Sequence, residues 1–184
     1  LFISSYYRKL MKILVTGGLG FIGINFIIFA LKKNIKIINV DKITYASNKE
    51  KKFLKNFRNY KFYKEDIINK IKLKKIIQYN SPDLILNFAA ETHVDRSISN
   101  PNNFIKTNIN GVHSILECCR ELKKNLKIKL IHISTDEVYG SLNYSGSFTE
   151  GDIYRPNSPY SASKASADHL IRAYRKTFNI PSII

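Results

Sequence analysis

Two residues in the C-terminal part of the 184-residue sequence have the types and the spacing of a proton-transfer pair. Tyr160 and Lys164 stand four residues apart in the segment YSASK, and in a helix this spacing places both on one face. A tyrosine, with a reference pKa of about 10, is a poor base at neutral pH. A lysine ammonium beside it stabilises the phenolate, so the pair can remove a proton from an alcohol. The alternative is a chance pair of surface side chains.

The segment STDEVYG, residues 134–140, contains two adjacent carboxylates, Asp136 and Glu137, directly after the hydroxyl donors Ser134 and Thr135. An acid and a base beyond the tyrosine would permit elimination of water. One carboxylate can remove a carbon-bound proton while the other protonates a departing hydroxyl, provided that their surroundings push the two pKa values apart. The alternative is a pair of solvated loop carboxylates.

A third motif, near the start of the chain, is a glycine loop. Gly17, Gly20 and Gly23 are spaced three apart, between a β-branched run and a mostly apolar segment. Gly17 permits a tight turn, Gly20 lets a pyrophosphate approach the backbone, and Gly23 allows close packing of the following helix on the sheet. Unpaired N–H groups at the start of that helix favour phosphate oxygens. This context predicts a dinucleotide-binding loop rather than a structural turn alone.

Two acidic residues follow the next predicted strands. Asp41 comes 18 residues after Gly23, where a carboxylate can hold both ribose hydroxyls and would repel a 2′-phosphate, so NAD is favoured over NADP. Asp66 follows the third strand, and two interpretations stay open for it. It meets the adenine end of the dinucleotide, or it is the N-cap of a helix that begins at Ile67.

The elements that must position these residues alternate between strands and helices. Strands are predicted over residues 12–16, 36–40, 60–64, 83–88 and 127–133, with a sixth starting at 181, and helices over residues 21–33, 67–79, 101–124 and 158–178. Crossovers of this length require a parallel sheet with helices on both faces. We therefore predict an α/β fold, a doubly wound parallel sheet of Rossmann-like type. The longest irregular stretch, residues 141–157, is expected to serve the site.

Composition narrows the class of protein. The chain has 30 Lys and Arg against 14 Asp and Glu, a formal net charge of +16, but the lysines are spread along the chain and no nucleic-acid-binding motif accompanies them. We therefore expect solvated basic faces and no nucleic-acid or membrane partner, since no apolar run reaches the roughly 18 residues of a membrane span. Cys118 and Cys119 are adjacent, which suits a reducing compartment such as the cytoplasm, and the four histidines lack the spacing of metal ligands, so no metal site is expected.

The glycine loop, STDEVYG and YSASK together resemble the extended short-chain dehydrogenase/reductase family. Within it, these motifs with DKITYA (residues 41–46) and AAETHVDRS (residues 89–97) are similar to the dTDP-glucose 4,6-dehydratase family. The usual serine after Glu91 is Thr92 here, which keeps the hydroxyl, and sugar epimerases of the superfamily generally lack the acidic pair. The similarity leaves residues 1–10 outside as an N-terminal extension, and residues 11–184 are interpreted as an incomplete NAD-binding domain of Rossmann-like type.

What the resemblance implies is an NAD-dependent dehydration of dTDP-glucose to dTDP-4-keto-6-deoxyglucose. Tyr160, assisted by Lys164, deprotonates the C4 hydroxyl while hydride passes from C4 to NAD+. Glu137 then removes the C5 proton, Asp136 protonates the departing C6 hydroxyl, and hydride returns to C6. Substrate contacts are implied for Thr92 and for Thr135, the latter at the C4 oxygen. The residues implied to bind NAD are Gly17, Gly20, Phe21, Ile22, Gly23, Asp41, Lys42, Ile43, Thr44, Asp66, Ile67, Phe88, Ala89, Ala90, Thr107, Tyr160 and Lys164.

Alternatives remain at this stage. The same motifs would suit a UDP-sugar 4,6-dehydratase or 4-epimerase, or an NAD-binding remnant without catalysis. Family members carry a second, mostly C-terminal lobe that grips the nucleotide of the substrate, and the resemblance implies that this lobe is missing here. Because binding energy from remote groups positions the reacting carbon, we expect little or no turnover from residues 1–184 alone. A homodimer through the helices that start near Pro101 and Ser158 is a further expectation from the family.

Overall fold

The sheet of the computed structural model has six parallel strands, and the structure describes residues 10–48, 51–142 and 145–184. The predicted N-terminal extension therefore lies outside the described residues except for its last residue. The strands are β1 (Lys12–Thr16), β2 (Lys36–Asp41), β3 (Tyr60–Lys64), β4 (Leu84–Asn87), β5 (Lys129–His132) and β6 (Ser182–Ile183). Their spatial order is β3-β2-β1-β4-β5-β6, so the order of the strands reverses between β1 and β4.

Six α-helices connect or cover these strands in the described part of the chain. They are α1 (Phe21–Lys32), α2 (Lys70–Asn80), α3 (Val94–Ser99), α4 (Pro101–Phe104), α5 (Val112–Leu122) and α6 (Pro159–Phe178). A π-helical turn, Ile105–Gly111, joins α4 to α5, and short 3-10 segments occupy Lys51–Asn56 and Asp136–Tyr139. No helix within these ranges is long and apolar enough to cross a bilayer.

Alternate residues of the central strand face two separate cores, which confirms the predicted doubly wound sheet. Leu14 of β1 packs with α2, α5 and α6 on one face, whereas Val15 packs with α1 and the first 3-10 segment on the other. Both side chains are fully buried. A strand buried on both faces needs a continuous apolar run, as in the segment KILVT, and the helices contribute one apolar stripe each.

The predicted helices differ from the observed ones in three places. The single helix predicted over 101–124 contains the π-helical turn in its middle, and the short helix α3 was not predicted. Helix α2 begins at Lys70 rather than near 67, because the Asn69 side chain accepts the Lys72 amide as its N-cap. Asp66 instead accepts the Ile68 amide in a preceding turn, so the interpretation of Asp66 as the N-cap of this helix is wrong.

The carboxyl ends of the strands form the edge of the sheet at which the predicted functional residues gather. In open α/β sheets, ligands bind outside this edge where the strand order reverses. Here the reversal lies between β1, which ends at the glycine loop, and β4, which ends at Asn87 just before the segment AAETH. The segments after β2, β3 and β5 complete the edge.

Candidate active site

A cleft of about 510 Å³ opens at the carboxyl edge of the sheet, across the reversal between β1 and β4. Its lining brings together residues from the loops after β1, β2, β3, β4 and β5, from the π-helical turn and from α6. The predicted site residues that line it are Gly17, Gly20, Phe21, Ile22, Gly23, Asp41, Lys42, Thr44, Asp66, Ile67, Phe88, Ala89, Ala90, Thr92, Thr107, Tyr160 and Lys164.

The glycine loop forms one wall of the cleft, and two of its glycines are required by close backbone approaches. Gly17 has a φ of +66°, and a side-chain carbon there would lie 2.6 Å from the backbone of Ala89. A side-chain carbon at Gly23 would lie 2.5 Å from the carbonyl oxygen of Gly17. Helix α1 starts here without a side-chain cap and without an acidic residue in its first turn. Its first N–H groups are therefore free to bind an anion from the cleft.

Asp41 ties the end of β2 to the glycine loop. One carboxylate oxygen accepts the Leu19 amide at 3.0 Å, and the other accepts the Ile43 amide at 2.7 Å. Ile43 has a φ of +59°, a left-handed conformation that is unusual for a β-branched residue and costs about 1–3 kcal/mol. The Ile43 side chain packs against the core beneath α1, and Ile43 is not among the residues that line the cleft, so its contact with NAD stays a prediction.

Lys42 bridges the middle of the cleft and meets a residue that sequence reasoning did not select. Its ammonium lies 3.2 Å from Glu91 Oε1 and donates to the Thr107 hydroxyl at 3.3 Å, while Asp66 Oδ2 lies 3.9 Å away. Two carboxylates thus neutralise this cation, and the strongly basic character of the whole chain does not extend into the cleft. Glu91 belongs to the AAETHVDRS segment, but its charge alone did not distinguish it from a solvated loop residue.

A buried asparagine that was not predicted holds the segment carrying Thr92. The Asn108 amide, in the π-helical turn, accepts the Glu91 backbone N–H at 2.9 Å and donates to the Glu91 carbonyl at 3.0 Å. It also donates to the Ser163 hydroxyl at 2.8 Å, which joins this wall to α6. The π-helical turn therefore directs polar side chains inward where a regular helix was expected, and such turns frequently occur at functional sites.

Tyr160 and Lys164 lie on the first turns of α6, where they are 8% and 3% exposed. Ser158 and Ser161 form a capping box that fixes the start of this helix. The Tyr160 ring packs edge-to-face on Phe104, with the ring centroids 6.3 Å apart. Both side chains thus enter the cleft from one helix face, as their spacing predicted.

The groups around Tyr160 act on the pKa of its phenol in both directions. Burial is the largest effect and raises the pKa of Tyr160; the Thr135 hydroxyl lowers this pKa, whereas Glu137 and Asp136 raise it. The Lys164 ammonium donates to the Ile133 carbonyl, and burial lowers the pKa of Lys164 to about 8. The Lys164 ammonium thus meets the backbone just after β5, and its support of the phenolate stays a prediction.

The acidic pair occupies the 3-10 segment after β5, at the edge of the cleft rather than in its lining. Thr135 caps this segment: its hydroxyl accepts the Glu137 amide and donates to Asp136 Oδ1, both at 3.3 Å. Asp136 and Glu137 are exposed; their 3-10 segment packs on α6, the helix of Tyr160, and both carboxylates raise the pKa of Tyr160. Thr135, Asp136, Glu137 and Tyr160 therefore come together at one end of the cleft.

Comparison with known proteins gives a consistent result at the level of sequence. The family described as GDP-mannose 4,6 dehydratase matches residues 14–184. The dTDP-glucose 4,6-dehydratase of Xanthomonas campestris is 46% identical over 175 residues, which are 91% of this chain and 50% of that protein. The chain therefore spans about half the length of the curated relatives that it matches.

Solved structures resemble this chain over the same region. The dTDP-glucose 4,6-dehydratase of Bacillus anthracis in complex with NAD is 46% identical with a TM-score of 0.81, and the alignment covers 94% of this chain and 53% of that one. The UDP-glucose 4-epimerase of Thermus thermophilus in complex with NAD has a TM-score of 0.84 but only 26% identity, over 94% of this chain and 53% of that one. The fold is thus shared by dehydratases and epimerases.

Proposed function

The chain belongs to the GDP-mannose 4,6 dehydratase family, and we propose that it binds NAD in the cleft. We further propose that it carries the catalytic groups for dehydration of dTDP-glucose to dTDP-4-keto-6-deoxyglucose. The observation that carries the proposal is the grouping of Tyr160, Asp136 and Glu137 at one end of the glycine-loop cleft. A tyrosine alone suits hydride transfer from an alcohol, whereas elimination of water needs an additional acid and base.

The described residues fit NAD at each part of the dinucleotide. The close packing of Gly17 and Gly23 leaves an open backbone surface, and the uncapped start of α1 offers N–H groups to the pyrophosphate. Asp41 is fixed by two backbone N–H groups and retains lone pairs for ribose hydroxyls. Asp66 lies in the cleft beyond Asp41, on the side assigned to the adenine. The chemistry that NAD would supply in this cleft is reversible hydride transfer, as the acceptor for the hydride of C4 and, once reduced to NADH, the donor to C6.

The first proton transfer is assigned to Tyr160. Its phenolate would accept the proton of the C4 hydroxyl. Because burial raises the pKa of Tyr160, that phenolate is a strong base once formed. The Thr135 hydroxyl, which lowers the pKa of Tyr160, is assigned to donate to the C4 oxygen. Lys164 supports the phenolate from one helical turn away; in the structure its ammonium is held by the Ile133 carbonyl.

The elimination is assigned to the two carboxylates. A 4-keto group acidifies the C5 proton, so Glu137 can remove it as a general base, while Asp136 protonates the departing C6 hydroxyl. The Asp136 carboxylate accepts the Thr135 hydroxyl, which itself accepts the Glu137 backbone N–H as the N-cap of this segment. Thr92, exposed in the cleft, is assigned to the sugar.

The choice of dTDP-glucose is supported by the relatives that carry this name at 46% identity, compared with 26% for the epimerase. The acidic pair argues in the same direction. The test is fluorescence titration of the chain with NADH, followed by a turnover assay with dTDP-glucose, UDP-glucose and GDP-mannose. The assay is run on the chain alone and with the C-terminal half of the Xanthomonas relative supplied in trans. We expect NADH binding by the chain and turnover of dTDP-glucose only with the added half; binding without any turnover would leave a cofactor-binding module.

Two further assignments accompany this function. We assign a homodimer to the face of the π-helical turn and α6, where Ile109, His169 and Leu170 line a shallow groove beside the exposed Ile105. Sedimentation equilibrium tests it. We also place the protein in the cytoplasm, since the buried, unpaired thiols of Cys118 and Cys119 suit a reducing compartment.

A further inference from the structure

A row of buried polar side chains crosses the sheet beneath the cleft and ends at α6. The Thr16 hydroxyl donates to Asn87 Oδ1, and Asn87 Nδ2 lies 2.8 Å from His132 Nδ1. Because the Asn87 amide donates to Nδ1, the neutral imidazole carries its proton on Nε2. That nitrogen lies 3.8 Å from Asp168 Oδ1, and neither atom has a hydrogen-bond partner among the described residues. Proton donation thus runs from Thr16 through Asn87 to His132, whose Nε2–H faces Asp168 without a hydrogen bond.

Asp168 collects donors from the opposite side as well. Its Oδ2 accepts the Ser134 hydroxyl at 2.6 Å and the Tyr154 hydroxyl at 3.2 Å, and the side chain is completely buried. The basic side chains whose charge acts on it are those of Lys164, one turn earlier on α6, and the adjacent His169. A buried carboxylate with no role in the proposed chemistry requires an explanation, because its desolvation is costly unless hydrogen bonds offset it.

The two residues that donate to Oδ2 belong to two different loops. Ser134 begins the segment that carries Thr135 and the acidic pair, while Tyr154 lies in the irregular stretch before α6. Asp168 is therefore a shared acceptor that links both loops to the helix of Tyr160 and Lys164.

The two loops also pack directly on one another. The Arg155 amide donates to the Val138 carbonyl at 2.9 Å, and the Tyr154 ring packs edge-to-face on Tyr139 with the centroids 5.2 Å apart. A side-chain carbon at Gly140 would lie 2.7 Å from the Arg155 carbonyl oxygen. The 3-10 segment of the acidic pair thus rests on a loop that Asp168 holds through Tyr154.

We propose that Asp168 is a positioning residue, which holds the segments of Ser134 and Tyr154 on α6 and thereby fixes Thr135, Asp136 and Glu137 beside Tyr160. The significance of that placement rests on the proposed function, but the anchoring itself does not. In the described part of the chain, Asp168 acts on the assigned site residues indirectly. Its hydrogen bond with Ser134 holds the residue before Thr135, and its charge interacts with that of Lys164.

The anchoring is tested by amide hydrogen exchange on the full chain with Asp168→Asn, Tyr154→Phe and the double variant. We expect exchange at Arg155 and Gly140 to rise about tenfold in each single variant, the size of one lost hydrogen bond to a charged group. The double variant should add little to Asp168→Asn, because both changes remove the same contact. The sheet amides of Gly17 and Phe88 should keep their exchange rates.

The matched control is Asp152→Asn, which removes an exposed carboxylate that accepts the Thr149 amide and hydroxyl in the same loop. It should leave Arg155 unchanged. Unchanged exchange in Asp168→Asn, or an equal rise at Gly17 and Phe88, would overturn the proposal. Where turnover is detected, Asp168→Asn should lower kcat while the Kd for NADH stays constant. Absence of turnover in the unsubstituted protein with the C-terminal half of the Xanthomonas relative added would count against the proposed function and leave the exchange result intact.

Discussion

The carbonyl oxygen of Gly17 lies 2.5 Å from the position that a side-chain carbon at Gly23 would occupy. The start of α1 can therefore approach the glycine loop only while residue 23 has no side chain. This approach keeps the N–H groups of the first helical turn directed at the cleft.

We predict that Gly23→Ala weakens NADH binding. The added carbon must displace backbone atoms, and overpacking of this kind costs about 1–3 kcal/mol. Fluorescence titration should show a rise in Kd of roughly tenfold or more. Gly151→Ala is the matched control, because its side-chain carbon would meet only the Thr149 hydroxyl at 3.8 Å. Equal affinity of the Gly23 variant and the unsubstituted chain would contradict the assignment of the loop.

We predict that the chain binds NADH at least roughly tenfold more tightly than NADPH, a difference of about 1.4 kcal/mol. Asp41 is buried, and both of its oxygens are fixed by backbone N–H groups, so it cannot turn away from a 2′-phosphate. Asp41→Asn should reduce the ratio of the Kd for NADPH to the Kd for NADH. The control, Asp152→Asn, should leave this ratio unchanged. Equal Kd values for the two cofactors in the unsubstituted chain would count against this role of Asp41.

Glu137→Gln should abolish exchange of the C5 proton of the substrate with solvent. Loss of a general base typically lowers the rate by about 10²–10⁴-fold. The measurement is NMR of dTDP-glucose in deuterated buffer, with the C-terminal half of the Xanthomonas relative present. Glu150→Gln, an exposed glutamate in the neighbouring loop, is the control. Exchange at the original rate in the Glu137 variant would show that another group removes the proton.

The free energy of unfolding should decrease at acidic pH because of the titration of His132. Burial lowers the pKa of this imidazole to about 3 from the ordinary value of 6.5. Between these values the unfolded chain binds a proton that the folded chain does not, so the free energy of unfolding decreases as the pH falls below 6.5. The slope contributed by one such group is at most about 1.4 kcal/mol per pH unit. Urea unfolding at pH 7.5 and pH 5 should show a smaller loss in the free energy of unfolding for His132→Gln than for the unsubstituted chain. Equal losses in the two proteins would refute this role of His132.

Much of the fold could be predicted because the strands are short, continuous apolar runs. Strand β3 at Tyr60–Lys64 and the start of α1 at Phe21 coincide with their predictions. The π-helical turn was not predicted, since the residue types of the segment IKTNING gave no signal for it. Its geometry accompanies the contacts of Asn108 with Glu91 and Ser163, which lie far apart in the chain.

The site was predictable in its residue types but less so in its contacts. The spacing of Tyr160 and Lys164 gave their common helix face, but the Lys164 ammonium meets the Ile133 carbonyl, a backbone partner without a sequence signal. Asp168 was missed for a related reason. An acidic residue in an amphipathic helix resembles a solvated one until the loops that cover it are known.

The central claim is that a nicotinamide ring binds beside the phenol of Tyr160. The most direct measurement is a nuclear Overhauser contact between the nicotinamide protons of bound NADH and the ring protons of Tyr160, assigned by its loss in Tyr160→Phe with selectively labelled tyrosine. We predict a cross-peak from NADH in the unsubstituted chain. NADH that binds with no contact to this ring would contradict the account.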